Sequence, residues 1–319
     1  MKLAHINAAQ HASPTDPLAE EIFAGLHATP KQIAPKYFYD RKGATLFDAI
    51  TELPEYYVTR VEAAIFDRYR TAICAAIGAG VHLVEPGAGS CEKIRRLLPG
   101  LQPLLYTPMD ISGEHLQASV ARLRNDFPAL NVTAQVCDHT AGLRLRAAGP
   151  DAPRVFFYPG SSIGNFEPDA AVEFMAGMRS AMDSRGGLLI GVDSKKDPAI
   201  LHAAYNDSAG ITAQFNLNVL EHLNDLLGGD LDTANFAHLA RYDEHIGRIE
   251  MYLQCMREHT AVLAGERLTF VAGERIHTEN SYKYYPAEFV ALARRAGFAV
   301  QDVWQDDDSW FSLMYFSAA

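Results

Sequence analysis

Apolar and polar positions change rhythm several times along the chain, and each change marks an element. Pro17–Leu26 puts Leu18, Ile22, Phe23 and Leu26 on one helical face. Leu46–Leu53 reads as a short amphipathic helix. A longer one follows, with Ile65, Phe66, Tyr69, Ile73 and Ile77 on one side and Thr59-x-x-Glu62 as a capping box at its start. From His82 onward, short apolar runs at 82–85, 104–109, 131–137, 154–158 and 187–193 read as buried strands. Helical stretches at 91–98, 114–126 and 168–183 lie between most of them, the first closed by Pro99-Gly100. This alternation predicts an α/β, doubly wound parallel sheet of Rossmann-like form. Right-handed crossovers bring every strand's carboxyl end to one rim.

After Asp193 the rhythm is different. Residues 197–240 read as helical, broken at Gly210 and Gly228-Gly229, while 247–256 alternate like a half-buried antiparallel strand and 260–271 supply further strand. Pro286–Ala296 returns to helix, and Phe298–Trp304 with Trp310–Phe316 forms a C-terminal antiparallel hairpin. Residues 59–196 and 286–319 are expected to make one domain, and 1–58 with 197–285 a second α+β lobe. Residues 1–14 look loosely structured, and 30–40 are aromatic and proline-broken.

Composition narrows the function classes. A formal net charge of -11 gives no electrostatic footprint for a phosphate backbone, so no nucleic-acid partner is expected. Cys74, Cys91, Cys137 and Cys255 are far apart, with neither metal spacing nor a disulfide framework. No stretch approaches a membrane span, and the N-terminus has no signal pattern. A cytoplasmic monomer acting on a small molecule, without metal or membrane, is the expectation.

The chemistry centres on Glu85-Pro86-Gly87-Ala88-Gly89. Glycines after a strand let a backbone approach a ligand closely, and the N–H groups of a following helix point at it. Glu92 stands where a dinucleotide fingerprint needs its third glycine. The acidic-x-Gly-x-Gly pattern resembles instead the first motif of class I methyltransferases, which bind S-adenosylmethionine. Taken alone it is a weak signal, since a tight strand–helix connection has the same form. Asp110 ends the next strand, where a carboxylate can accept from both ribose hydroxyls; Ser112 is left to cap the following helix. Lys93 suits a cofactor carboxylate or a solvated helix face. Asp138-His139 closes the third strand, with the acid positioned for an adenine amino group or for a turn. Asn165, in the Pro159–Phe166 loop, has donors and an acceptor for an amino acid's carboxylate and amine, or caps the helix beginning at Pro168. Glu279 and Ser281 share a face of an extended segment. They match the two nitrogens of an imidazole, or form a polar edge. Tyr56 and Tyr205 fit packing as well as binding.

Longer motifs run through nearly the whole chain. They are Leu53-Pro54-Glu55-Tyr56-Tyr57-x-Thr59-Arg60, the Pro159–Phe166 loop, Ala204-Tyr205-x-Asp207-x-Ala209-Gly210-Ile211-Thr212-Ala213-x-Phe215-Asn216, Arg248-Ile249-Glu250-Met251 and Thr278-Glu279-x-Ser281-x-Lys283. Together they resemble the histidine Nα-methyltransferases of the ergothioneine pathway. The resemblance implies a class I fold and three successive methyl transfers from S-adenosylmethionine to the α-amine of L-histidine, giving hercynine. Gly87, Lys93, Asp110, Asp138 and His139 would hold the cofactor. Tyr56, Asn165 and Tyr205 would bind histidine, the latter two at its carboxylate, with Glu279 and Ser281 at its imidazole and Asn280 beside them. Tyr39 and Asn165 would lie at the reacting amine. A relative acting on another aromatic amino acid or a modified histidine is the alternative.

Overall fold

A computed structural model of the chain describes residues 17–140, 142–145 and 149–319; the expectation for residues 1–14 falls outside them. The strands, in chain order, are β1 (Lys31–Gln32), β2 (His82–Pro86), β3 (Leu105–Asp110), β4 (Gln135–Val136), β5 (Arg154–Tyr158), β6 (Gly187–Asp193), β7 (Phe236–Asp243), β8 (Arg248–Cys255), β9 (His259–Leu263), β10 (Glu266–Phe270), β11 (Arg275–Tyr282), β12 (Phe298–Gln305) and β13 (Phe311–Ala318). They divide between two compact units. The smaller holds the described residues up to Ile50, with Tyr205–Arg241 and Glu250–Glu279; the larger holds the rest.

The larger unit is built on a sheet of order β12-β13-β6-β5-β2-β3-β4. Neighbours from β6 through β4 are parallel, and β13 runs antiparallel to both β6 and β12. The chain leaves β2 toward β3 and β4, then returns to β5 on the other side of β2. The order therefore reverses at β2, and ligands of such sheets bind at the carboxyl ends flanking that reversal. Strands β2 and β6 are buried along their whole length, as strands covered on both faces must be. On one face Val84, Phe156, Leu188 and Ile190 pack with Met175, Met178, Phe289 and Phe316. On the other, Phe66 of helix Tyr57–Ile77 meets Phe157 edge-on at 5.8 Å between centroids. Each fully buried side chain of this size contributes about 1.5–3 kcal/mol.

The smaller unit carries most of a four-stranded sheet of order β1-β11-β8-β7 and the hairpin β9–β10. Helix Ile211–Leu227 belongs to it, with Phe215 against Phe38 at 4.6 Å.

Several local expectations are corrected. No capping box forms at Thr59: the long helix begins at Tyr57, so Glu62 lies inside it and is buried. Residues 91–98 are not one helix; Cys91 has φ 57°, a 3-10 turn spans Ile94–Arg96, and Leu98–Leu101 is a short helix that contains Pro99 and Gly100. The third strand shrinks to Gln135–Val136, with an isolated bridge from Val132 to Tyr106. The helical reading of 197–240 fails beyond Leu227, because 236–243 is strand β7. Ser112 occupies the N-cap position but its side chain makes no cap bond.

His82 illustrates how a strand opening can carry a titratable group. Its Nδ1 accepts from Arg154 at 3.4 Å and its Nε2 donates to Thr107 at 3.0 Å, so the ring is neutral. Burial, with the Arg154 charge beside it, pushes its pKa from 6.5 down to about 4. The unfolded chain therefore binds the proton more readily, and this stabilisation is complete above pH 6.5 and lost as the pH falls toward 4. Denaturant titrations of the protein and of His82→Gln across that window should show the wild-type advantage shrinking as acid is added; a constant difference would refute the linkage.

Candidate active site

The turn after β2 is fixed by backbone and carboxylate together. Gly87 and Gly89 have φ of 68° and 50°, a region that favours glycine. Ala88 N–H donates to the Met109 carbonyl and Gly89 N–H to Asp110 Oδ2, both at 2.9 Å. Asp110 Oδ1 accepts from Ser112 N–H at 2.8 Å. One carboxylate thus ties the glycine turn to the end of β3. Glu85, at the end of β2, accepts from the Tyr106 hydroxyl, and burial pushes its pKa up to about 8.

His139 lies over the same turn. A Cβ added to Gly87 would come within 3.3 Å of His139 Cε1, so the glycine keeps that approach open. Burial lowers the His139 pKa, and its Nδ1 is buried without a hydrogen-bond partner. Asp138 Oδ1 accepts from Thr140 N–H at 2.9 Å, so the turn reading holds for that oxygen.

Lys93 reaches the next loop through a residue that sequence reasoning assigned elsewhere. Glu62, 1 % exposed, accepts from Lys93 Nζ and from Gly160 N–H, each at 2.7 Å. A Cβ on Gly160 would sit 2.5 Å from Lys93 Nζ. Helix Tyr57–Ile77, the turn after β2 and the loop after β5 therefore meet on one carboxylate. No local pattern announces this, since the Thr59-x-x-Glu62 spacing is that of a cap.

The loop after β5 continues as a 3-10 turn, Ser162–Asn165. Helix Pro168–Ser180 has Glu167 at its N-cap, so Asn165 does not cap it. Gly164 lies against the end of β11, where an added Cβ would be 2.6 Å from the Tyr282 carbonyl. Asn280 Nδ2 donates to Glu167 Oε1 at 2.9 Å, which Arg248 also contacts at 2.7 Å. Ser281 accepts from Lys283 Nζ at 2.8 Å. Tyr56 is the N-cap of its helix, and Arg60 secures the preceding turn through the carbonyls of Leu53 and Pro54, both at 2.8 Å.

Three predicted residues lie in the smaller unit. Tyr39 packs edge-on against Phe47 and Phe215, each at 5.8 Å. The Tyr205 carbonyl accepts from His238 Nε2 at 2.9 Å, while His238 Nδ1 accepts from Asn216 at 2.8 Å, which fixes the ring as the neutral Nε2–H tautomer. Asn216 Oδ1 in turn accepts from the Thr278 hydroxyl at 2.8 Å, beside Glu279 in β11. Asp207, in the same motif as Tyr205, caps helix Ile211–Leu227 by accepting from the N–H groups of Ile211 and Thr212 at 2.8 Å. Among the described residues no group of histidine, cysteine and acidic side chains could hold a metal.

Residues 18–318 match the family described as histidine-specific, S-adenosylmethionine-dependent methyltransferases. The chain belongs to this family. Histidine N-alpha-methyltransferase of Mycolicibacterium smegmatis is 37% identical over 320 residues, covering 98% of each chain. The enzyme of that name from Mycobacterium tuberculosis is 37% identical over 302 residues, 93% of each. The fold is also that of a methyltransferase from Clostridium acetobutylicum described as S-adenosylmethionine-dependent, at TM-score 0.51 and 11% identity, covering 86% of this chain and 98% of that one. The larger unit is thus a class I methyltransferase fold, and the family's cofactor is S-adenosylmethionine.

The residues after β2 fit that cofactor. Gly87 lets the turn pass close beneath His139, Gly160 leaves room for Lys93 Nζ, and Asp110 brings a carboxylate to the rim. Removing Glu62 would strand the Gly160 N–H and leave Lys93 without its anchor. Glu62→Ala should cost about 1–3 kcal/mol of stability, read by denaturant unfolding, and weaken S-adenosylmethionine binding in calorimetry. Unchanged values in both would remove Glu62 from the site.

Proposed function

We propose that the protein transfers methyl groups from S-adenosylmethionine to the α-amine of L-histidine, up to the trimethylated betaine hercynine, as a step in making ergothioneine. What carries the reading is membership of the histidine-specific family together with 37% identity to two histidine N-alpha-methyltransferases over nearly their whole length. Bound S-adenosylmethionine supplies a methyl already activated by the sulfonium, so alignment of the amine matters more than a strong base.

In this reading Gly87, Lys93, Asp110, Asp138 and His139 hold the cofactor. Asn165 and Tyr205 take the histidine carboxylate, with Tyr56 beside them, and Glu279 and Ser281 take the imidazole. Asn280 supports that end through Glu167. Tyr39 orients the amine or accepts its proton through a water. A peptide α-amine has a pKa of about 8, and a cationic cofactor beside it lowers that value. A neutral nucleophile is then available without a dedicated carboxylate. Residues 59–196 with 286–319 serve the cofactor, and 1–58 with 197–285 the amino acid. No described helix is long and apolar enough to cross a membrane. A monomer working in the cytoplasm, with no nucleic-acid partner, completes the proposal.

Incubation with labelled S-adenosylmethionine and each amino acid in turn should give mono-, di- and trimethylated histidine by mass, and little product from tryptophan or tyrosine. Preferred methylation of either of those would replace histidine as the substrate. Tyr39→Phe should lower kcat by about 100-fold, the lower end of what a positioned proton acceptor contributes; an unaltered rate would take Tyr39 out of the reaction.

A further inference from the structure

Tyr39 stands at a junction in the smaller unit. It closes the 3-10 turn Pro35–Phe38, its N–H donating to the Lys36 carbonyl at 3.4 Å, and Asp40 after it opens helix Arg41–Thr51. Asp40 Oδ1 accepts from Gly43 N–H at 2.6 Å, as an N-cap does. The join is tight: a Cβ on Gly43 would lie 1.7 Å from the Phe38 carbonyl oxygen. The Tyr39 ring rests against Phe47 and Phe215, apolar contacts that fix a position less sharply than a hydrogen bond.

One face of helix Ile211–Leu227 meets this junction on both sides of Tyr39. Phe215 packs on Phe38 at 4.6 Å. Asn218 Nδ2 donates to Asp40 Oδ1 at 2.8 Å, and His222 Nδ1 donates to the Tyr37 carbonyl at 2.7 Å. Positions 215, 218 and 222 form one stripe along the helix. A carbonyl and a carboxylate only accept, so both directions are set. His222 carries a proton on Nδ1, and Asn218 turns Oδ1 away from Asp40. That Oδ1 is buried without a hydrogen-bond partner among the described residues, on a side chain 1% exposed. A buried acceptor left empty costs stability. Stability therefore gives little reason for an amide at this point, whereas its directed bond to the residue after Tyr39 does.

We propose that Asn218, with His222, is a positioning residue that sets where Tyr39 stands during methyl transfer. This rests on the assignment of Tyr39 to the reacting amine in the proposed function. Two donors one helical turn apart grip the chain immediately before and after Tyr39. The tyrosine, which belongs to a connection between two short elements, thereby takes its place from a 17-residue helix.

The test compares kcat, histidine KM, cofactor affinity and denaturant unfolding for the full-length protein, Asn218→Leu, His222→Phe, Tyr39→Phe, and each of the first two combined with Tyr39→Phe. Leucine fills the space of the amide without its empty acceptor, and phenylalanine keeps the edge-on contact that His222 makes with Tyr37. Asn218→Leu should lower kcat about tenfold, the scale of a displacement of roughly 1 Å or less. KM and cofactor affinity should stay as they are, and the unfolding midpoint should hold or rise. His222→Phe should lower kcat in the same direction by a smaller factor. Neither change should lower kcat further once Tyr39→Phe is in place. An unchanged kcat in Asn218→Leu, a further loss in the Tyr39→Phe background, or a loss equalled in KM, cofactor affinity or unfolding would overturn the proposal. Should Asn218→Leu fail to fold, His222→Phe alone and with Tyr39→Phe decides by the same criteria. An unaltered rate in Tyr39→Phe by itself would instead remove the assignment of Tyr39 beneath the proposal.

Discussion

A carboxylate sealed from water must be met by donors from every side, or its burial costs several kcal/mol. Asp193 meets that requirement with a tyrosine from the long helix, a lysine from the chain just beyond β6, and a lysine from the chain just beyond β11. The three come from segments far apart in sequence. None can move without leaving a buried charge uncompensated, so this one group locks the helix start, the strand end and the approach to Ser281 in register. The apolar packing between the sheet and its helices is tolerant of modest repacking; the surroundings of Asp193 are not.

The same logic recurs along the rim of the sheet. Asp110 holds the glycine turn, and Glu62 gathers Lys93 and Gly160. Each carboxylate draws together backbone N–H groups or an ammonium from different connections, at the place where the strand order reverses around β2. The rim is therefore set before any ligand arrives. That is the preorganisation a methyl transfer needs, because the sulfonium already carries the reactivity and the protein's task is geometry.

In the smaller unit a run of neutral hydrogen bonds joins distant segments. The run from Thr278 through Asn216 and His238 to the Tyr205 carbonyl links two of the motif segments by groups that each have a defined donor and acceptor. Burial keeps His238 neutral, which preserves the direction of every bond in the run. The recurrent motif residues thus include some that touch no ligand in the proposed reaction: Asp207 and Arg60 secure a helix start and a turn.

Much of this was legible in the chain itself. Short apolar runs separated by amphipathic stretches determined the parallel sheet, and the long motifs determined the family. The glycines after β2 and the acid at the end of β3 were readable because strand ends and tight turns are local events, decided by residues adjacent in sequence. What the sequence left open depends on contacts between distant residues. Glu62 looked like a cap because its spacing from Thr59 is right, yet Lys93 and Gly160, far along the chain, claim its carboxylate. Residues 236–240 looked helical, and strand pairing decided otherwise. Asp193 and Lys196 carried no pattern at all, and Lys283 stood only at the end of a motif with no role attached. Burial and the need to neutralise a buried charge act across the fold, so only the tertiary structure could assign them.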